Sequence, residues 1–219
     1  MISLKTIVIL SHLPILATVV LAALRYRQLS KALQVFSWFI FLSGAIQFTS
    51  LWLCLVSINN MPLLHIYVAA GFPCLAWFYK TVLGNFINSR IVWGAALLFL
   101  LFSIVNSLFI QNIFRFNSNA LAVESILIII LALFTFIFFL NHTMMEQGIQ
   151  DIKSLTWINS GLFIYYLSCL MIFYFGDTIL FRFSKDLSRH TWVYHSFFST
   201  VMYICFFAGL WKRSKTPRL

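Results

Sequence analysis

Hydrophobic residues run along this chain in long blocks separated by short polar interruptions. The blocks lie at residues 4–24, 34–56, 62–83, 91–109, 119–140, 155–175 and 191–211. A helix rises about 1.5 Å per residue, so each block can cross a hydrocarbon core about 30 Å thick. No stretch alternates with the two-residue period of a strand. Lipid-exposed backbone must satisfy its own hydrogen bonds. The pattern therefore predicts an all-α fold: a polytopic membrane protein, a seven-transmembrane-helix bundle forming a single domain over residues 1–219. Pro14 interrupts the first span, and Gly71 with Pro73 the third. Proline removes a backbone hydrogen bond and crowds the preceding turn, which predicts a bend in span three.

Composition supports this reading and excludes others. Of 219 residues, 62% are hydrophobic and 9% charged, with mean hydropathy +0.94. That is too little charge to cover a water-facing surface, since soluble domains carry about 25%. The net charge of +10 would point to nucleic acid in a soluble protein. Here the basic residues sit between apolar blocks, where topology and lipid headgroups account for them, and no nucleic-acid partner is expected. The alternate connections divide them unequally. One set holds Arg25, Arg27, Lys31, Lys80, Arg90, Lys153, Lys212, Arg213, Lys215 and Arg218; the other holds Lys5, Arg115, Arg182, Lys185 and Arg189. The richer set is expected on the cytoplasmic side, with the N-terminus outside and the C-terminus inside. Lys5 followed by an apolar run imitates a signal peptide, but the run ends at Arg25, Tyr26 and Arg27 and another span follows. An uncleaved first helix is expected. Residues 178–190 are expected to form the longest outer loop, with Ile-Leu-Phe-Arg-Phe lying in the headgroups as a lid. Residues 144–154, carrying Glu146, form the longest inner loop, and the tail from Lys212 a basic anchor. Cys54, Cys74, Cys169 and Cys205 are scattered within apolar blocks and form no Cys-x-x-Cys pair, so they read as packing residues.

The informative residues are the polar ones inside the spans. An intramembrane carboxylate is costly and marks a functional-site hypothesis with a partner to be found. Glu124 lies five residues into span five. With the orientation above, His12, His65 and His195 share its half of the bundle, and Gln47 and Asn106 reach the same half from the opposite direction. The expectation is an outward-facing polar pocket centred on Glu124, with His65, His195 and His12 around it and Tyr67 and Gln47 as further ligand-binding residues. Three readings stay open: a structural hydrogen-bonded centre, a site sensing a ligand or protons, and a metal site formed by His65, Glu124 and His195. His142, at the other end of span five, reads as interfacial. Trp157, Trp192 and Trp211 fall near interfaces, as belt residues do. Tyr165 lies deeper, where a hydroxyl wants a partner. Trp157, Asn159 and Tyr165, with Gly71 and Pro73, are expected to serve structure.

Span seven, Thr-Trp-Val-Tyr-His-Ser-Phe-Phe-Ser-Thr-Val-Met-Tyr, holds no lysine for a retinal Schiff base, which argues against that cofactor. Its histidines, His190 and His195, are five apart, whereas seven-span zinc hydrolases of the alkaline ceramidase type place theirs four apart. Several segments do resemble small uncharacterised seven-helix membrane proteins of Bacteroidetes-type bacteria. They are His65-Ile-Tyr67, Glu124-Ser125, Trp157-Ile-Asn159-Ser-Gly161 with Tyr165, and His195-Ser196 through Gly209-Leu-Trp211. The resemblance implies a seven-helix protein of the bacterial inner membrane, and a partnership with a sensor histidine kinase or another signalling protein. Its members often carry an acid near Gly71, which this chain lacks. The sequence shows no soluble catalytic domain and no kinase signature. A receptor-like or sensory protein is the preferred expectation over an enzyme. A metal-dependent membrane enzyme acting on lipid-like substrates is the alternative, followed by a small-solute transporter.

Overall fold

The computed structural model describes residues 4–84, 86–144 and 151–212. Seven helices make up the bundle: α1 Leu4–Arg25, α2 Lys31–Leu55, α3 Met61–Leu83, α4 Ser89–Val105, α5 Ser118–Met144, α6 Ile152–Arg182 and α7 Lys185–Trp211. A π-helical turn, Asn106–Ile110, continues α4, and no strand occurs among the described residues. All seven helices, α4 with its π turn, are long and apolar enough to cross a membrane. Glu146, Asn85 and the basic residues Arg213, Lys215 and Arg218 lie outside the described residues, as do the side chains of Lys5 and His142.

Local sequence explains several helix ends. Asn88 caps α4 by accepting from the Arg90 amide at 2.9 Å, and Ser184 caps α7 by accepting from Leu187 at 3.2 Å. Pro62 opens α3, where a missing N–H costs nothing. Gly84 closes α3 with φ +53°, a conformation side chains with a Cβ rarely adopt. The expected bend has no break to mark it: α3 runs as one helix through Gly71 and Pro73. In α1, the Thr18 hydroxyl donates to Pro14 O at 2.7 Å and lies 3.2 Å from Tyr203 O on α7.

One expectation is corrected. Residues 178–190 do not form a long loop, and Ile179–Phe183 is not a lid. Helix α6 continues to Arg182 and α7 starts at Lys185, joined through Phe183 and Ser184. Polar residues there read as a loop because they end the apolar block. They do not end the helix, and the Ser184 cap and Asp186 in the first turn favour a new helix start.

The helices close into a ring. Neighbours along the chain pack against each other, α7 returns to α1, and α3 also touches α5. The core is aromatic. Phe36 of α2 lies 5.0 Å from Phe78 of α3 and 4.8 Å from Phe206 of α7 between ring centres, and all three are fully buried. Leu97, Leu98, Leu101 and Phe109 face outward, as a lipid-facing surface requires. Contact between α6 and α7 depends on two glycines. A Cβ at Gly161 would sit 2.8 Å from Cys205 Cβ and 3.1 Å from Met202 O, and one at Gly209 would sit 2.8 Å from Ser154 O. Small residues let membrane helices approach at the backbone level. Gly209→Leu is expected to force α6 and α7 apart and cost about 1–3 kcal/mol. A thermal melt in detergent should show a clear drop in Tm, with a smaller drop for Gly94→Leu, where nothing lies within contact of an added Cβ.

Candidate functional site

The polar half of the bundle is the end that carries the α2–α3 turn, and three structures occupy it: a strap, a cleft and a buried acid.

The strap is the 111–117 segment between α4 and α5, tied down from every side. Asn106, fully buried, donates to Gln111 Oε1 and to Asn117 Oδ1, both at 2.9 Å, and accepts from Asn119 Nδ2 at 3.0 Å. Asn59 in the α2–α3 turn donates to Phe114 O at 3.0 Å. Phe116 is buried against Gly176 of α6 and meets Trp192 of α7 with ring centres 5.4 Å apart. Arg115 forms a two-pronged bond to Asp177 of α6, at 3.1 and 2.9 Å, and lies over the Phe181 ring. His65 belongs to this strap. A carbonyl can only accept, so its Nε2 donates to Arg115 O at 3.1 Å; Nδ1 meets the Ser107 hydroxyl at 2.7 Å. Both ring nitrogens are engaged, and His65 does not line the cleft.

The cleft, of about 210 Å³, lies between α2, α3, α5, α6 and α7. Gln47, Ser50 and Asn60 supply polar groups on one side. Tyr67, Leu121 and Tyr165 lie in its lining, and Phe116, Phe173 and Trp192 give it aromatic walls. His195 also lines it, with Nε2 2.9 Å from the Tyr165 hydroxyl and its ring set edge-on to Phe173 and Trp192. Gln47 reaches the Tyr203 hydroxyl at 3.3 Å, which in turn meets Ser43 at 2.5 Å.

Glu124 stands one helical turn beyond Leu121 on α5. It is fully buried and does not line the cleft. Its surroundings are tyrosines rather than histidines. Tyr166 of α6 holds its hydroxyl beside the carboxyl, and Tyr67, Tyr165 and Tyr203 stand close around them. Neither carboxyl oxygen completes a hydrogen bond among the described residues. Gly71 of α3 lies beside it: a Cβ there would be in ordinary contact with Glu124 Oε1 at 3.6 Å.

The structure thus separates residues that the sequence groups together. His65, Glu124 and His195 do not form a metal-holding cluster, and no group of three His, Cys, Asp or Glu residues among the described residues does. His12 packs against Phe48 of α2, with 5.8 Å between ring centres, and is absent from the cleft lining. Gln47, Tyr67 and His195 do line the cleft, and Tyr165 joins them there. Asn159 lies deeper in the bundle, where it accepts from the Tyr79 hydroxyl at 3.1 Å and donates to Ala132 O at 3.0 Å, joining α3, α5 and α6. Trp157 stacks near Lys212 at the opposite end. Sequence reasoning passed over Tyr166, Tyr203 and Asn117. The signal for the two tyrosines was present, since an intramembrane hydroxyl needs a partner just as those of Tyr67 and Tyr165 do.

These features define a multi-pass, all-helical membrane protein with a polar cleft at one end. In comparisons with protein-family models, curated proteins and solved structures, nothing matches this chain.

The strap's two kinds of tie differ in expected worth. Asn106→Leu leaves Gln111, Asn117 and Asn119 short of a buried partner and is expected to cost about 1–3 kcal/mol. Arg115 and Asp177 are partly exposed, at 47% and 28% of their side chains. A double-mutant cycle of Arg115→Ala with Asp177→Ala is expected to give a coupling of only about 0.2–1 kcal/mol. Unfolding of the purified variants measures both.

Proposed function

We propose that this is a receptor-like or sensory protein of the bacterial inner membrane, which binds a small ligand in the α2–α3-end cleft and signals through a separate partner. The observation that carries the reading is the cleft itself. It combines a few convergent polar groups, Gln47, Asn60, Tyr165 and His195, with walls of Phe116, Phe173 and Trp192. Largely apolar walls with a few placed polar groups are the usual makeup of a small-molecule site. Its lining comes from five helices, so an occupant that fits one helix arrangement better than another biases the bundle toward it. Glu124 takes its part from beneath the lining, through Tyr67 and Tyr165.

In this proposal the N-terminus is outside and the C-terminus inside, so the cleft faces outward. The excess of Lys and Arg at the opposite end supports that orientation. A sensor histidine kinase is the partner proposed from the sequence resemblance.

Two measurements test the proposal. A Gln47→Leu/His195→Phe variant, present in the membrane at normal level, is expected to reproduce most of the transcriptional change caused by deleting the gene. Unchanged transcription would sink the cleft as a sensing site. For orientation, a cysteine placed at Ser188, in the first turns of α7, should react with a membrane-impermeant maleimide in intact spheroplasts. Reaction only after lysis reverses the topology.

A further inference from the structure

The other end of the bundle carries a second groove, unrelated to the cleft. It runs between the start of α6 and the end of α7 and has a volume of about 430 Å³. Lys153, Thr156, Trp157, Ser160 and Ile164 line it from α6, and Cys205 and Lys212 from α7 and its end. The α6 residues recur at helical spacing and so share one face. Lys212 Nζ lies over the Trp157 ring, 4.8 Å from its centre.

The groove changes character along its length. Its terminal part has two ammonium groups, two hydroxyls and an indole, while deeper in the bundle it has only Ile164 and Cys205, beside the outward-facing Ile204. Neither lysine is ion-paired among the described residues. Two like charges lining one groove repel each other, and an anion between them removes that cost. The Thr156 hydroxyl spends its proton on Ile152 O at 2.7 Å, so it is not a donor to an anion in this groove. Trp157 is 39% exposed, as expected of an indole at headgroup depth. A water-soluble anion would use only the charged end of this groove. A molecule with an anionic head and an apolar chain uses its whole length.

We propose that this groove is a binding site for one anionic phospholipid, its headgroup phosphate between Lys153 and Lys212, its glycerol region at Ser160 and Trp157, and an acyl chain along Ile164 and Ile204. The site lies where α6 and α7 are joined by the Gly209–Ser154 approach, so the lipid bridges two of the five helices that line the cleft.

Native mass spectrometry of the delipidated protein tests this, using phosphatidylglycerol and phosphatidylcholine with identical acyl chains. The wild type is expected to retain one phosphatidylglycerol several-fold more than phosphatidylcholine. Lys153→Gln/Lys212→Gln should lose that preference, and Lys80→Gln/Arg90→Gln, which removes the same charge elsewhere, should keep it. If the double variant is not folded by its melting curve, the single Lys212→Gln variant is expected to reduce the preference. Equal retention of both lipids by the wild type, or an undiminished preference in the groove variants, overturns the proposal. Displacement by glycerol 3-phosphate at concentrations similar to those of the lipid also overturns it, because the apolar part of the groove would then contribute nothing.

Discussion

Hydrocarbon offers no hydrogen bonds, and this constraint governs the whole molecule. Every backbone amide inside the bilayer must be satisfied by its own helix, and every polar side chain by another part of the protein. The bundle meets that demand by sorting. Apolar side chains such as Leu97 and Leu101 face outward, rings such as Phe36, Phe78 and Phe206 fill the centre, and the amides of Asn106, Gln111, Asn117 and Asn119 bond to one another. The deep polar contacts serve the same demand. Asn159 takes up a tyrosine hydroxyl and a helix carbonyl at once, and Thr18 lies near carbonyls of two helices. Polar groups so placed act as registration marks between helices, because sliding one helix past another would break them all.

Glu124 is the one carboxyl among the described residues whose buried oxygens lack a hydrogen-bond partner. Its carboxyl has tyrosine neighbours but no completed bond among the described residues. The cleft stands directly over it, separated by Tyr67, Leu121 and Tyr165. The hydroxyl of Tyr165 is engaged with His195 and that of Tyr203 with Ser43 and Gln47. Two of the four tyrosines around the acid, Tyr67 and Tyr165, therefore also line the cleft, whereas Tyr166 and Tyr203 do not.

The fold was almost wholly legible in the sequence, because block length and apolarity are what a bilayer selects. Helix ends were legible only to within a few residues: the fourth block starts at residue 91, whereas α4 starts at Ser89 behind the Asn88 cap. The end of α6 was misplaced because hydrophobicity reports where lipid stops, whereas the helix stops where its hydrogen bonds do. The site was legible by depth and not by direction. Glu124, His65, His12 and His195 do share one half of the bundle, yet depth fixes one coordinate of three. His65 faces the strap, His12 faces Phe48 on α2, and only His195 opens into the cleft. The strap could not be foreseen, since it depends on a short segment folding back onto four helices, and its amides look like ordinary loop residues.

The lengths of α6 and α7 have a consequence for access. At about 1.5 Å per residue, the 31 residues of α6 extend about 46 Å, well beyond a hydrocarbon core about 30 Å thick. The α2–α3 turn, by contrast, ends close to the last apolar residues of α2. Phe173 and Trp192 stand on these two long helices, so the aromatic wall of the cleft is bounded by helix and not by a loop.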